Sequence, residues 1–136
     1  MHENYKSPMI LVTCGIILKG NEILVTQRSE LMKLPLKWEF PGGKINPDET
    51  EEECLKRELK EELNIEIEIL KKMVPNIHNY PSFVIKLIPF LVKYVSGEII
   101  LLEHVTYKWV YKNDMDNLDW AEADLPIVEQ IKKLEI

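Results

Sequence analysis

The chain has 136 residues, a length that fits one compact domain covering residues 1–136. Hydrophobic residues make up 46% of the sequence and charged residues 29%, which is typical of an ordinary globular protein. The formal net charge of -6 argues against binding of nucleic-acid polymers, whose phosphate backbones attract basic surfaces. A small polyphosphate ligand stays compatible with this charge if a metal ion or a local basic patch supplies positive charge.

The sequence carries no recognisable targeting or membrane-spanning segment. Residues 1–8 lack the basic start, long apolar core and cleavage site of a signal peptide. No apolar stretch approaches the ~20 residues that a membrane-spanning helix needs. Cys14 and Cys54 are too few for a disulfide framework, so we expect both to be reduced and packed. These features predict a cytoplasmic protein that does not bind membranes.

The first third of the chain predicts a β-hairpin and then an irregular segment. Residues 9–18 are rich in β-branched side chains, and a turn at residues 19–22 connects them to a second predicted strand at residues 23–27. Residues 29–37 are loop-like. In residues 38–44, the sequence Pro-Gly-Gly argues against any regular helix or strand.

Residues 50–63 contain the clearest helix of the sequence. They include no Gly or Pro and many strong helix formers. Thr50 and Glu53 have the spacing of a capping box at the start of this helix. Asn64 follows its last residue, where a left-handed cap favours Gly or Asn.

The second half of the chain predicts more strands and a final helix. Its predicted strands are residues 65–69, 83–94, 98–102 and 107–112. Pro89 predicts that its strand is an edge strand or contains a bulge. From Leu125 onward, apolar residues recur at helical spacing, with Pro126 suited to the first turn. The fold class is therefore α+β, with a mixed sheet between helices.

The central helix carries glutamates with the spacing of a cation site. Glu58, Glu61 and Glu62 share one helical face, where like charges repel by roughly 0.2–0.5 kcal/mol per pair. Magnesium favours such carboxylate oxygens together with substrate phosphates, although a plain solvated helix face would have a similar composition. Arg57 is suited to orient one carboxylate, and Gly42 lies in a loop that can bring bare backbone close to a ligand.

The same residues resemble the signature of the Nudix hydrolase family. The family pattern is G-x5-E-x7-R-E-U-x-E-E-x-G-U, where U is bulky and aliphatic. Gly43, Glu49 and the run from Arg57 to Ile65 match it at every fixed position except Asn64, which replaces a glycine. Asparagine also tolerates the left-handed cap, so this departure should cost little. The resemblance implies a Nudix-type α/β/α sandwich with a mixed sheet.

The resemblance also implies a metal-dependent active site. It assigns Mg²⁺ as the cofactor, with Mn²⁺ as the alternative ion, and it leaves open whether Glu58 or Glu103 is the base. Glu49 is implied as a support, and His104 is expected to be a surface histidine. The implied catalytic residues are Arg57, Glu58, Glu61, Glu62 and Glu103, and the implied metal ligands are the Gly42 carbonyl, Glu58, Glu61, Glu62 and Glu103.

Two segments point to a branch of the family. Residues 38–44 look like the MutT branch, which hydrolyses nucleoside triphosphates to the monophosphate and pyrophosphate, and residues 118–126 resemble the CTP pyrophosphohydrolases. Asp124 stands where MutT has an asparagine that reads oxidised guanine. An ionised aspartate only accepts hydrogen bonds, which suits the cytosine amine, whereas a protonated one could also donate to an oxo group. The alternative role of Asp124 is an N-cap of the last helix.

The implied substrate is a small-molecule nucleotide, CTP, dCTP or an oxidised deoxynucleoside triphosphate. An ADP-ribose or dinucleoside polyphosphate hydrolase would share the same signature, and Pro81 is a weak marker of the former. A non-catalytic nucleotide sensor on the same fold is a further alternative, and the chain is expected to be a monomer or a homodimer. The implied substrate-binding residues are Arg28, Lys33, Glu39, Phe40, Lys44 and Asp124.

Overall fold

A computed structural model describes the protein from residue 8 to residue 136. The first residues, in which we predict no signal peptide, therefore lie mostly outside the described part. None of the helices within that part is long and apolar enough to cross a membrane. The strands are β1 (Met9–Lys19), β2 (Glu22–Gln27), β3 (Trp38–Glu39), β4 (Gly42–Lys44), β5 (Glu66–Lys72), β6 (Asn76–Tyr80), β7 (Phe83–Ser96) and β8 (Thr106–Tyr111). The α-helices are α1 (Glu51–Leu63) and α2 (Leu125–Lys132), and short 3-10 helices span Lys112–Asn117 and Glu122–Asp124.

The sheet is built around the parallel pair β1 and β7. Their register runs from Met9 opposite Val84 to Leu18 opposite Lys93. On the far side of β1, β2 and β4 pair antiparallel with it, and β2 also pairs with β3 and β8. On the far side of β7, β5 and β6 pair antiparallel with it. The predicted mixed sheet is thus confirmed.

The two faces of the sheet are covered by different helices. Successive side chains of a strand point to opposite faces, so Ile16 and Ile17 of β1 enter different cores. Ile17 packs in the cluster that contains Leu55, Leu59 and Leu63 of α1. Ile16 packs in the cluster that contains Ile127, Val128 and Ile131 of α2. All of these side chains are almost fully buried, and the arrangement is the predicted α/β/α sandwich.

Local signals set the limits of α1 as the sequence predicts. The Thr50 side chain accepts a hydrogen bond from the Glu53 backbone, and the Glu53 carboxylate accepts one from the Thr50 backbone. At the other end, Asn64 adopts the left-handed conformation with φ of 61°. Cys54 lies on the buried face of this helix and is free, as is Cys14, so the prediction of reduced and packed cysteines is confirmed.

Two sequence predictions of local structure are wrong because the deciding partners are distant in the chain. No strand forms at residues 98–102, because Ile100 and Leu102 donate backbone hydrogen bonds to the last carbonyls of α1 instead of to a strand. Conversely, two short strands, β3 and β4, flank Pro41, where we expected none. Both find partners earlier in the chain, in β2 and β1 respectively.

Pro89 lies in the central strand β7, so the edge-strand alternative is wrong, whereas the pairing of β5 with β7 contains register shifts of the kind that the bulge alternative predicts. Its carbonyl accepts a hydrogen bond from Met73, which follows the end of β5. The N–H and C=O of one residue point to the same side of a strand, so the missing donor of Pro89 faces the segment between β5 and β6. The proline is tolerated because no ladder donor is needed there.

Candidate active site

One cavity of about 420 Å³ opens beside the N-terminal half of β1, and it has a charged part and an apolar part. Charged side chains of α1, β4 and two loops line the first part, and aromatic and aliphatic side chains line the second. Such a division suits a ligand with a polyanionic end and a flat apolar end. The charged residues include Arg28, Lys44, Glu58, Glu62 and Glu103, and the apolar residues include Val12, Met32, Phe40, Tyr80, Phe83 and Leu87.

The cavity brings together most of the residues that the sequence predicts for the site. Arg57 and Glu61 do not line it, and neither does the predicted support Glu49. The Glu61 side chain is 51% exposed and bonds to Arg57 at 3.0 Å. The predicted residues that do line the cavity are Arg28, Lys33, Glu39, Phe40, Gly42, Lys44, Glu58, Glu62, Glu103 and Asp124.

Glycines let β4 approach both the sheet and the central helix. Gly42 pairs with Cys14 of β1, and a Cβ atom at Gly42 would overlap the Thr13 carbonyl oxygen. A Cβ atom at Gly43 would overlap the carboxyl group of Glu58. The two glycines are therefore required by close approach, which brings a loop backbone and an acidic side chain together at the charged end of the cavity.

Arg57 bonds to three glutamates next to the charged part of the cavity. Its guanidinium contacts Glu49 at 2.6 Å, Glu58 at 2.9 Å and Glu61 at 3.0 Å. It also donates to the Lys44 carbonyl at 3.1 Å. The hydrogen bond from Arg57 is the main cause that lowers the pKa of Glu49 to about 2. These contacts fit the supporting role that the resemblance implies for Glu49. They also fit the prediction that Arg57 orients a neighbouring carboxylate.

Glu58 and Glu62 point from one face of α1 into the charged end. Burial raises the pKa of both carboxyl groups above the usual value. For Glu62, the negative charges of Glu103 and Glu58 raise the pKa further. The Glu62 Oε2 atom is buried and has no hydrogen-bond partner among the described residues. A cation at this place would relieve the repulsion and give that oxygen a partner.

The donor set at this end fits a divalent metal ion. Among residues 8–136, no group of three or more His, Cys, Asp or Glu side chains is arranged to hold a metal by itself. Mg²⁺ does not require such a group, because it often takes one or two carboxylates and completes its shell with substrate phosphates and water. The unpartnered oxygen of Glu62 and the facing carboxylates of Glu58 and Glu103 supply hard ligands of that kind.

A partly buried hydrogen-bond network of Arg28, Glu39 and His104 lies between the charged and apolar parts. Glu39 accepts a hydrogen bond from Arg28 at 2.8 Å through Oε1 and contacts His104 Nε2 at 2.8 Å through Oε2. The His104 side chain is only 4% exposed, so the prediction of a surface histidine is wrong. The sequence offers only its position directly after Glu103, and nothing in the sequence indicates the contact with Glu39.

Asp124 lies at the apolar part of the cavity and does not cap α2. Its carboxylate accepts a hydrogen bond from the Phe40 backbone N–H at 2.8 Å, and it makes no capping bond to the helix. Asp124 therefore occupies the N-cap position of α2, as the alternative predicts, but its side chain does not act as the cap. Burial, followed by the negative charge of Glu39, raises the pKa of Asp124 well above its usual value. The group keeps its proton to a higher pH than an exposed aspartate, and its neutral form can donate as well as accept.

Aromatic side chains lie near Asp124 in the cavity, and of these the sequence predicts only Phe40 as a site residue. Phe40 stacks on Trp120 with ring centroids 4.7 Å apart. The Tyr80 hydroxyl accepts a hydrogen bond from the Ala123 backbone at 2.9 Å. The Lys33 ammonium lies 4.6 Å from the centroid of the Phe83 ring, so the loop before β3 contacts the start of β7. The sequence signal was the pair of aromatics around Pro81: Tyr80 ends β6, a strand that we did not predict, and Phe83 begins the predicted strand β7.

The chain is similar to known proteins over most of its length. The family model described as NUDIX domain matches residues 9–131. An 8-oxo-dGTP diphosphatase of Buchnera aphidicola subsp. Schizaphis graminum is 32% identical over 123 residues, which is 90% of this chain and 93% of that protein. A CTP pyrophosphohydrolase of Escherichia coli is 32% identical over 126 residues, 93% of each chain.

A solved structure has the same fold. The crystal structure of a MutT protein from Methanosarcina mazei superposes with a TM-score of 0.86 at 26% sequence identity. The superposition covers 96% of this chain and 97% of that one, so the sheet and both helical layers have counterparts in that structure.

Proposed function

The chain belongs to the Nudix hydrolase family, and we propose that it is a magnesium-dependent pyrophosphohydrolase of nucleoside triphosphates. The observation that carries this proposal is that one cavity has both a charged part, which includes carboxylates of α1, and an apolar part, which includes aromatic side chains. A triphosphate with bound cations suits the first, and a nucleobase suits the second. The products would be a nucleoside monophosphate and pyrophosphate.

The carboxylates in the charged part of the cavity favour binding of Mg²⁺, with Mn²⁺ as the alternative ion. We propose Glu58, Glu62 and Glu103 as ligands, joined by the Gly42 carbonyl. Glu61 would act from the rim of the site, where Arg57 now holds it. When bound, the metal neutralises phosphate charge and polarises the phosphoryl group that is attacked.

The chain's own residues would orient the substrate and move the proton. Arg28, Lys33 and Lys44 supply positive charge along the cavity and suit contacts to the nucleotide and its phosphates. Glu58 or Glu103 would accept the proton of the attacking water. Burial raises the pKa of Glu58, which brings a carboxylate closer to the basicity that proton transfer at neutral pH requires.

We propose CTP, dCTP or an oxidised deoxynucleoside triphosphate as the substrate. The relatives named above are called a CTP pyrophosphohydrolase and an 8-oxo-dGTP diphosphatase, and they are equally similar to this chain at 32% identity. Asp124 supports both, because its ionised form accepts from an amine and its neutral form can also donate to an oxo group. Phe40 donates its backbone N–H to one carboxylate oxygen of Asp124, which leaves the other to face a base.

The position of attack is a testable part of the proposal. We expect attack at the β-phosphorus, so the bridging oxygen leaves with the monophosphate. Hydrolysis in heavy-oxygen water should therefore place solvent oxygen in pyrophosphate. Mass spectrometry of the two products measures this directly, and label found only in the nucleoside monophosphate would refute it.

Base preference should depend on Asp124. The substitution Asp124→Asn keeps the size of the side chain and adds a permanent donor, so preference should move from dCTP toward oxidised dGTP. A paired hydrogen bond to a base edge is typically worth ~1–3 kcal/mol, which is roughly tenfold to a hundredfold or more in the ratio of kcat/KM values. The two proteins should differ most at high pH, because ionisation removes the donor from aspartate but not from asparagine.

The measurement is the ratio of kcat/KM for dCTP to that for oxidised dGTP, taken for both proteins across a pH series. Metal affinity serves as the control and should not change. An unchanged ratio would remove Asp124 from base recognition, and the cytosine assignment would lose its main support.

A further inference from the structure

Glu103 reaches the cavity from a segment without regular secondary structure. Residues 97–105 connect β7 to β8, and backbone hydrogen bonds hold them at both ends. Leu102 donates to the Glu62 carbonyl at 3.2 Å, and Val105 donates to the Gln27 carbonyl at 3.0 Å. Glu103 lies between these two anchors, where the backbone alone does not fix the direction of a long side chain.

The side chain of His104 supplies a third anchor beside Glu103. Its Nε2 atom lies 2.8 Å from Glu39 Oε2, and the ring is almost fully buried. A carboxylate oxygen only accepts, so Nε2 carries the proton of this bond. The second ring nitrogen, Nδ1, is buried without a hydrogen-bond partner among residues 8–136. Among residues 8–136, the His104 ring therefore makes its hydrogen bond to Glu39 alone.

Glu39 connects His104 to Arg28 and to the residues around Asp124. Its other oxygen accepts from Arg28 at 2.8 Å, so both carboxylate oxygens are bonded within the protein. Glu39 also immediately precedes Phe40, whose backbone holds Asp124. Its side chain is therefore better suited to positioning its neighbours than to the direct contact with substrate that the sequence predicts.

We propose that His104 is a positioning residue that aims Glu103 at the metal through its hydrogen bond to Glu39. The inference rests on the proposed function, in which Glu103 is a ligand. Partners that orient metal ligands typically contribute about tenfold to a hundredfold to metal affinity or activity. A histidine that only fills the core would contribute to thermal stability and would leave metal affinity unchanged.

Conservative variants separate the two ring nitrogens. His104→Gln places an amide N–H near the position of Nε2 and keeps the bond to Glu39. His104→Asn places its polar atoms near Nδ1 and cannot reach Glu39, and His104→Phe keeps only the ring. The affinity of the substrate-free protein for Mn²⁺ alone is measured from the electron paramagnetic resonance signal of the free ion. Nitrogen NMR of the imidazole reports separately which ring nitrogen is protonated.

His104→Phe and His104→Asn should weaken Mn²⁺ binding by about tenfold or more, and His104→Gln should restore most of it. In a Glu103→Gln background, His104→Phe should cause no further loss, because the residue acts through Glu103. Wild-type affinity in His104→Phe, equal losses in all three variants, or a further loss in the Glu103→Gln background would overturn the inference. Since no nucleotide is present, failure of the wild type to hydrolyse nucleotides would refute the proposed function and leave this result standing.

Discussion

Glu62→Gln is expected to lower turnover by orders of magnitude while the protein stays folded. The substitution keeps the shape of the side chain and removes the charge that a cation would bind. The wild-type carboxylate is held against an electrostatic cost, since burial and the charges of Glu103 and Glu58 all raise the pKa of Glu62. The melting temperature should therefore be unchanged or higher, which is the pattern of a residue retained for function.

The measurement combines pyrophosphate release with thermal melting on the same samples. Glu52→Gln is the matched control, because Glu52 is exposed on the same helix and does not line the cavity. It removes the same charge from α1 and should leave turnover close to the wild-type value. Near-normal turnover in Glu62→Gln would contradict the metal role of Glu62.

Gly43→Ala should cost most of the activity with little loss of stability. The added Cβ atom would overlap the Glu58 carboxyl group, which is the far end of a flexible side chain and can move away. Displacing a reacting or ligating group by about 1 Å can cost roughly a hundredfold in rate. Gly42→Ala should behave differently, because its Cβ atom would overlap the backbone of Thr13 and Cys14 and so disturb the pairing of β4 with β1.

Steady-state kinetics and melting temperatures of both variants test this contrast. Gly20→Ala serves as the reference for backbone strain alone, since Gly20 has φ of +62° and open space around it. It should lower stability by about 1–2 kcal/mol with normal kcat. Full activity in Gly43→Ala would mean that the position of the Glu58 carboxylate is unimportant for the reaction.

The sequence predicted the features of the fold that depend on neighbouring residues. The capping box of Thr50 and Glu53 and the left-handed Asn64 set both ends of α1, and all three lie within that helix or next to it. The prediction of a strand at residues 98–102 was wrong because Ile100 and Leu102 bond to carbonyls of α1, which is far away in the sequence.

The predictions for the site also succeed where they depend on neighbouring residues and fail where the partner is distant in the chain. Spacing along one helix was sufficient to bring Glu58 and Glu62 to one cavity. The same spacing predicts Glu61 beside them, but its side chain does not line the cavity and bonds to Arg57 instead. His104 was misassigned because its partner Glu39 is 65 residues away, and no local pattern announces that contact.

The central claim is tested most directly by the products that the wild-type protein forms with Mg²⁺ present and with Mg²⁺ chelated. The substrates are dCTP, oxidised dGTP, ADP-ribose and a dinucleoside polyphosphate, and chromatography separates the products. We predict that at least one triphosphate gives its monophosphate and pyrophosphate, that it is cleaved with a higher kcat/KM than the other two compounds, and that chelation abolishes the reaction. Formation of a diphosphate and inorganic phosphate, or cleavage of ADP-ribose or the dinucleoside polyphosphate alone, would contradict the account.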